Sequence, residues 1–461
     1  MRANASETGA VGAPRGGLRE AHAHIAEHGR SLTMPSLAGC AGADDMLEIV
    51  RDLCRSVAPG GWLLLRGARV EGWAKPGAGP CGWPTREELD AASGGVACLA
   101  MSFDHHMVMA NGAALDAGGI GPGTPDPPGG IIDRDGSGRA TGLVLETAAW
   151  GLWGRSPEPT LAERRWHVAS ALADFHRLGF VEVHDMLSQP WLGPMLADLH
   201  DADRLPIHAW LYEPMEEAAS RGGRERPWER EPGSSVGARG VRFAGGKIFI
   251  DGTLNSRTAW MLGPYRDPQP SLPTGKVVTD PAGIESALRA CRSLGVGLAA
   301  HAIGDAAVRA ALDAFEGAPG IPTPPRSSSG YVLCRAGSPV PALRIEHAEV
   351  VDAADVPRFA RLGVVASVQP CHLLADVEAL RRYLPHRLDD VLPLRGLTTH
   401  GCAAGGMLWF GSDAPIVRPD PVDSVRAATE RRRAGESVGQ AIAWNERIGE
   451  REAWACFGAR P

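Results

Sequence analysis

Six side chains suited to a metal centre stand in five short segments, each at the end of an apolar run. They are His22 and His24 in EAHAHI, Lys247 in GGKIFIDG, His301 in GLAAHAIGD, His347 in LRIEHAEV and Asp413 in LWFGSDAP. In an extended segment, residues two apart point to the same side, so the imidazoles of His22 and His24 can reach one ion. An ammonium cannot coordinate a metal. Burial lowers a lysine's pKa, however, and the neutral amine of Lys247 can then add carbon dioxide to give a carbamate, whose two oxygens bridge two cations. Taken singly, each residue has an ordinary explanation. H-x-H arises by chance, and Lys247 reads equally well as half of a salt bridge with Asp251. His301 and His347 read as core histidines, and Asp413 as a turn or helix-capping carboxylate. Their shared position at strand ends favours the joint reading, a pocket for two divalent cations.

Other polar residues fall near the same mouth by register. His106 lies in SFDHHMVMAN, His184 and Asp185 in FVEVHD, Asn255, Ser256 and Arg257 in DGTLNSRTAW, Asp305 in HAIGD, and Gln369 and His372 in SVQPCH. Asp305 reads equally as a helix cap and Arg257 as a surface charge. His28 is taken as a bystander.

To bring these ends together the chain needs parallel strands separated by helices. The first strand is LREAHAHI (18–25) and the second FVEVHDML (180–187), preceded by the helical pattern ERRWHVASALADFHRLG. Then follow LPIHAWLYE, a polar loop over 219–240, GGKIFIDG, the segment ending at His301, LRIEHAEV, VVASVQP and MLWFGSDAP, with amphipathic stretches between. Eight strands alternating with helices predict an α/β fold, a (β/α)8 barrel of the triosephosphate isomerase (TIM) type, with its site at the carboxyl ends of the strands. The stretch 30–155 is too long for a simple connection. It contains the helix DDMLEIVRDLCRSV, the strands WLLLRG and ACLAMSF, and a Pro/Gly/Asp-rich loop over 119–142 with a hairpin-like turn. It therefore predicts an inserted subdomain over the barrel mouth, between strands 1 and 2. The barrel takes 18–29 and 156–461, and 1–17 is a flexible lead-in. The Pro/Ser/Gly-rich segment 317–342 predicts no regular structure.

Size and composition set bounds. At 461 residues with 44% hydrophobic side chains, the chain can bury a large core. A net charge of −7 without basic runs argues against nucleic acid and anionic membranes as partners. The nine cysteines show no framework spacing, which predicts free thiols in a reducing compartment. No apolar run reaches spanning length and the N-terminus lacks a signal-peptide core, so a cytoplasmic location is expected.

These segments resemble the amidohydrolase superfamily, specifically amidohydrolase family 3, the YtcJ-like metal-dependent hydrolases. Beyond the ligand segments, GWPTREELDAAS, DHHMVMANGAAL, GTPDPPGGIIDRDGSGRATG, SVQP and FGSDAP with DPVDSVRAAT carry the likeness over nearly the whole chain. The resemblance implies a metal centre held by His22, His24, Lys247, His301, His347 and Asp413, and hydrolysis of a non-peptide C–N bond in an amide, formamide or cyclic amide. With it come two divalent ions, expected to be zinc, with a carbamate on Lys247, the alternative being a single ion with Lys247 unmodified and paired with a carboxylate, and a small-molecule substrate. Asp413 is the expected proton carrier, His184 and His106 assist catalysis, and Arg257, Gln369 and His372 bind substrate. Ester, lactone or phosphotriester hydrolysis on the same centre, and an inactive relic of the barrel, are the competing readings.

The sequence also departs from the family pattern. Glu20 stands where the family usually has Asp, Arg19 replaces an apolar residue, and His105 stands where Gly is common. Family members also carry a small β-sandwich built from both ends of the chain. Here only 21 residues precede His22, so the sandwich is expected to be missing and the bared face to favour a homo-oligomer.

Overall fold

The computed structural model describes residues 17–103, 105–127, 130–222, 226–231, 239–269, 271–317 and 343–458. Strand β1 (Leu18–Ala23) is followed in the chain by a separate five-stranded sheet before its own neighbour appears. That sheet contains β2 (Trp62–Ala68), β3 (Ala97–Ser102), β4 (Met107–Ala110), β5 (Gly130–Arg134) and β6 (Ala140–Glu146). Its order is β2-β3-β4-β6-β5, with β2 and β3 parallel and the other pairs antiparallel. Alternation explains why it is a sheet covered on both faces. Met107 and Met109 of β4 pack with Met46, Val50 and Leu89 from helices Ala43–Cys54 and Arg86–Ser93. Val108 and Ala110 pack the other way, against Leu115 and Leu152 from helices Gly112–Ala117 and Thr147–Trp153.

The barrel resumes with β7 (Phe180–Asp185), β8 (His208–Pro214), β9 (Val241–Phe249), β10 (Gly297–Ala302), β11 (Leu343–His347), β12 (Val365–Val368) and β13 (Leu408–Phe410). With β1 they form one eight-stranded sheet in the order β1-β7-β8-β9-β10-β11-β12-β13, every pair parallel. Helices cover its outer face, so strands such as GLAAHA are buried along their whole length, as parallel strands are. Local signals set the helix starts. Thr160 with Glu163 makes a capping box for helix Leu161–Arg177, and Asp280 followed by Pro281 opens helix Pro281–Leu294.

The seam between β13 and β1 closes the barrel just past the strand ends. Asp413 N–H donates to His22 O at 2.7 Å, and His24 N–H donates to Ala414 O at 2.8 Å. Glu20 staples the same seam, its Oε1 accepting from His22 N–H at 3.0 Å and Ser412 N–H at 2.9 Å. Gly411 permits the approach, since a Cβ there would lie 2.5 Å from His22 N. The barrel with its insertion is therefore as the sequence predicts. Among the described residues there is no third sheet, and no helix is long and apolar enough to cross a membrane.

Several expectations need amendment. The segment 119–142, read as a loop with a hairpin-like turn, contains β5 and the start of β6. Asp135 makes their turn by accepting from Ser137 N–H at 2.8 Å and Arg139 N–H at 3.1 Å. Strand β4 carried no readable turn signal. The loop expected over 219–240 begins inside helix Met215–Arg221, and its Trp228 joins the barrel core. The flexible lead-in, apart from Gly17, and residues 318–342 lie outside the described residues.

The tightest strand contact generates a prediction. Gly245 of β9 pairs with Gly297 of β10, and a Cβ at Gly245 would stand 2.0 Å from the Gly297 carbonyl oxygen. Gly245→Ala is expected to cost about 1–3 kcal/mol, seen as a lower urea midpoint. Gly263→Ala, with no atom within 4 Å of the new methyl, should leave the midpoint in place.

Candidate metal centre

Where β1, β10, β11 and β13 end, their last side chains turn toward one another. The His22 and His347 ring centroids are 4.9 Å apart, those of His301 and His347 4.5 Å, and those of His22 and His24 5.6 Å. One ligand atom each from His22, His347 and Asp413 falls within 4.8 Å of the others. His24 Nε2 lies 2.9 Å, and His22 Nε2 3.2 Å, from the same Asp413 oxygen. The backbone bends sharply to aim two of these groups. His347 has φ 73° and Asp413 φ 60°, left-handed values that cost a non-glycine residue about 1–3 kcal/mol each and concentrate at functional sites.

Hydrogen bonds fix which ring nitrogens face inward. A carboxylate only accepts, so His22 Nδ1–H donates to Glu346 Oε2 at 2.6 Å and His24 Nε2–H to Asp413 Oδ1 at 2.9 Å, while His22 Nε2 faces the same Asp413 oxygen. His301 Nε2–H donates to the Gly252 carbonyl at 3.2 Å, leaving Nδ1 as its lone pair. Nδ1 of His347 is buried without a hydrogen-bond partner. Burial, reinforced by positive neighbours, holds His301 and His347 well below the usual histidine pKa and so in the neutral form that ligates metals. Burial alone would raise Asp413, but His22 and His24 outweigh it and hold this carboxyl well below its usual range. Two imidazole nitrogens against one carboxylate oxygen, with an orphaned buried nitrogen beside them, fit a divalent cation.

Lys247, buried at the end of β9, lines the same cavity. Burial lowers its pKa to about 8, so part of the amine is neutral near physiological pH. Asp251, its suggested salt-bridge partner, is engaged elsewhere, accepting from the N–H groups of Trp260, Ile303 and Gly304.

The centre forms the floor of a cavity of about 430 Å³. Apolar walls come from Met34, Met101, Phe103, Trp150, Trp153 and Trp191. The insertion adds His106, whose Nδ1–H donates to Glu146 Oε2 at 2.6 Å and whose ring lies 6.3 Å from that of His301. Burial raises the Glu146 carboxyl, but His106 and the Thr258 and Ser256 hydroxyls bring it below its usual value. His372 also lines the cavity.

Three expected site residues lie elsewhere. His184 is inside the barrel below the cavity, among Trp210, Tyr212 and Trp409; its Nε2–H donates to Glu182 Oε1 at 2.8 Å and its Nδ1 accepts from Arg344 at 3.1 Å. It does not line the cavity. Arg257 turns outward at φ 56°, donates to the Asp267 carbonyl at 2.8 Å and stacks on Tyr383. Gln369 is buried just before helix Pro370–Tyr383, donating to Ser367 O at 3.2 Å, and does not line the cavity. Asp185 and Asp305 serve backbone N–H groups, and His28 pairs with Asp174.

The sequence reading missed Glu146, the pair Arg344 and Glu346, and Glu349 with Asp376. Glu146 carries the same signature as the ligand segments, an apolar run ending in a polar residue. Arg344 and Glu346 are two charges on one face of a buried strand, which must pair. Asp376 lies one helical turn beyond His372.

A model of the amidohydrolase family matches residues 15–457. The chain is 27% identical over 442 residues to the putative amidohydrolase YtcJ of Bacillus subtilis, covering 94% of this chain and 76% of that protein. It is also 27% identical over 434 residues to an N-substituted formamide deformylase of Arthrobacter pascens, covering 90% and 73%. A crystal structure of an uncharacterized metal-dependent hydrolase from Pyrococcus horikoshii shares the fold, with TM-score 0.68, 24% identity, and coverage of 95% of this chain and 78% of that one.

The bond from Glu346 to His22 can be tested. Partners that orient a metal-binding histidine typically change affinity by about 10–100-fold. Glu346→Gln is expected to weaken zinc binding by that factor in a chelator competition, with the fold retained by circular dichroism. Unchanged affinity would remove Glu346 from the centre.

Proposed function

This chain belongs to the amidohydrolase family, and on that premise we propose that it is a metal-dependent hydrolase of a small molecule, cleaving a non-peptide C–N bond in an amide, formamide or cyclic amide. The observation that carries this reading is the meeting of His22, His347 and Asp413 within 4.8 Å at the floor of a cavity. The similarity to a formamide deformylase supports the choice of bond. A cavity of about 430 Å³ suits a small substrate. All eight cysteines among the described residues are free, which supports a reducing compartment.

His22, His24, His301, His347 and Asp413, joined by Lys247 as a carbamate, would hold two divalent cations, zinc by donor type. Bound there, such ions supply acidified water and polarisation of the substrate carbonyl. The protein's own groups do the rest. Asp413 takes the proton of the attacking water on a carboxylate oxygen and returns it to the leaving nitrogen, which departs as an amine rather than an amide anion. His106, its ring fixed by Glu146, orients the acyl group from the insertion side. His372 donates its Nε2–H to Ser412 O at 3.2 Å and holds the opposite wall in place. The aromatic walls exclude water and receive the apolar part of the substrate.

Metal analysis of purified protein should find close to two ions per chain, and chelation should abolish turnover of N-substituted formamides. Asp413→Asn is expected to lower kcat about 10²–10⁴-fold, with metal content measured in parallel to separate proton transfer from coordination. Lys247→Ala should lose metal and activity together, and a short carboxylic acid should partly restore both. Folded wild-type protein that takes up no metal would overturn the reading.

A further inference from the structure

The cavity wall carries a second set of groups that hydrolysis does not use. His372 stands beside His347, ring centroids 5.8 Å apart. One atom each of His372, Glu349 and Asp376 lies within 4.8 Å of the others. All three are buried, yet all line the cavity, as does Asn255.

This wall consists mainly of acceptors. Because His372 Nε2–H is spent on the Ser412 carbonyl, Nδ1 keeps the lone pair of the neutral ring. Asp376 accepts from the Asn255 amide. Glu349 is 2% exposed and hydrogen-bonds with the Asp376 carboxyl, so the two share a proton, while its Oε1 is buried with no hydrogen-bond partner. Among the described residues no lysine or arginine pairs with Glu349. A buried carboxyl oxygen left unmatched is costly, and a donor arriving with the ligand relieves that cost. A ligand bearing several N–H donors and a positive charge meets the whole set at once. The set opens on the cavity that receives the substrate, so the substrate itself can bring the cation.

We propose that Glu349, Asp376 and His372 form a subsite for a protonated amine, and that the favoured substrates are amides with a basic end, such as monoacylated diamines. This rests on the hydrolase reading above. The acyl C–N bond lies over the His22, His347 and Asp413 cluster, and the ammonium docks on the neighbouring wall. Hydrolysis then consumes one water and releases a carboxylic acid and a diamine.

The test uses metal-loaded, full-length protein and two probes of similar length, the monoformamide of butanediamine and N-pentylformamide. Calorimetry gives the affinity of each, and product assays give kcat/KM. The cationic probe is expected to bind about tenfold or more tightly than the neutral one. Glu349→Gln and Asp376→Asn should each bring that ratio toward one without changing metal content per chain. Should one variant fail to fold, the other reads the same ratio. Equal affinities in the wild type would overturn the subsite. Loss of one metal ion from either variant would also overturn it, by making the set a further cation site. If neither probe is hydrolysed, the C–N reading fails while calorimetry still decides the subsite.

Discussion

Arg344 is a fully buried arginine on which the order of the barrel interior depends. From β11 it donates to the Ala21 carbonyl of β1 at 2.6 Å, the Ser367 hydroxyl of β12 at 2.7 Å and His184 of β7 at 3.1 Å, and it pairs with Glu346 on its own strand. Its guanidinium lies 5.3 Å from the ring centres of Tyr212 in β8 and Trp409 in β13. A charge placed there without partners would cost several kcal/mol, so the strands around it are bound to a single arrangement. Burial alone would raise Glu346, but Arg344 and His22 outweigh it and hold this carboxyl well below its usual range. As a carboxylate it fixes the proton on His22 Nδ1. The orientation of the His22 ring toward the cavity is thus set, through Glu346, by an arginine that does not itself line the cavity.

The same network accounts for His184. Its position at the end of a strand resembles that of the ligands, yet its two nitrogens are already used, one by Arg344 and one by Glu182. Burial lowers its pKa to about 4, so it stays neutral and completes the arginine's coordination. Two histidines at similar register positions therefore have different roles. His22 faces the cavity it shares with His301, His347 and Asp413, whereas His184 faces a cation that already belongs to the chain.

This contrast shows what the sequence could reveal. Strand ends, helix caps and the order of the ligand segments were legible because they follow from local rules: period-two alternation, capping boxes, and Gly or Pro after an apolar run. That His22, His24, Lys247, His301, His347 and Asp413 would line one cavity was legible that way. What was illegible depends on side-chain direction at a bend. Arg257 and Gln369 sit in the right loops, but a left-handed φ turns one outward and the start of a helix buries the other. Strands β4 and β5 are five residues or fewer. Their pairing is decided by the helices packed on each face, which a single sequence does not display.

Glu146 joins the insertion to the barrel. One of its oxygens serves His106 of the insertion, and the other accepts from the Ser256 and Thr258 hydroxyls of the loop after β9. Pulling the two apart would strand a buried carboxylate, so this junction resists a hinge between cap and barrel. Discrimination then works as a gauge does. A mouth braced in this way would sort ligands by width, with no binding energy diverted to closing a lid.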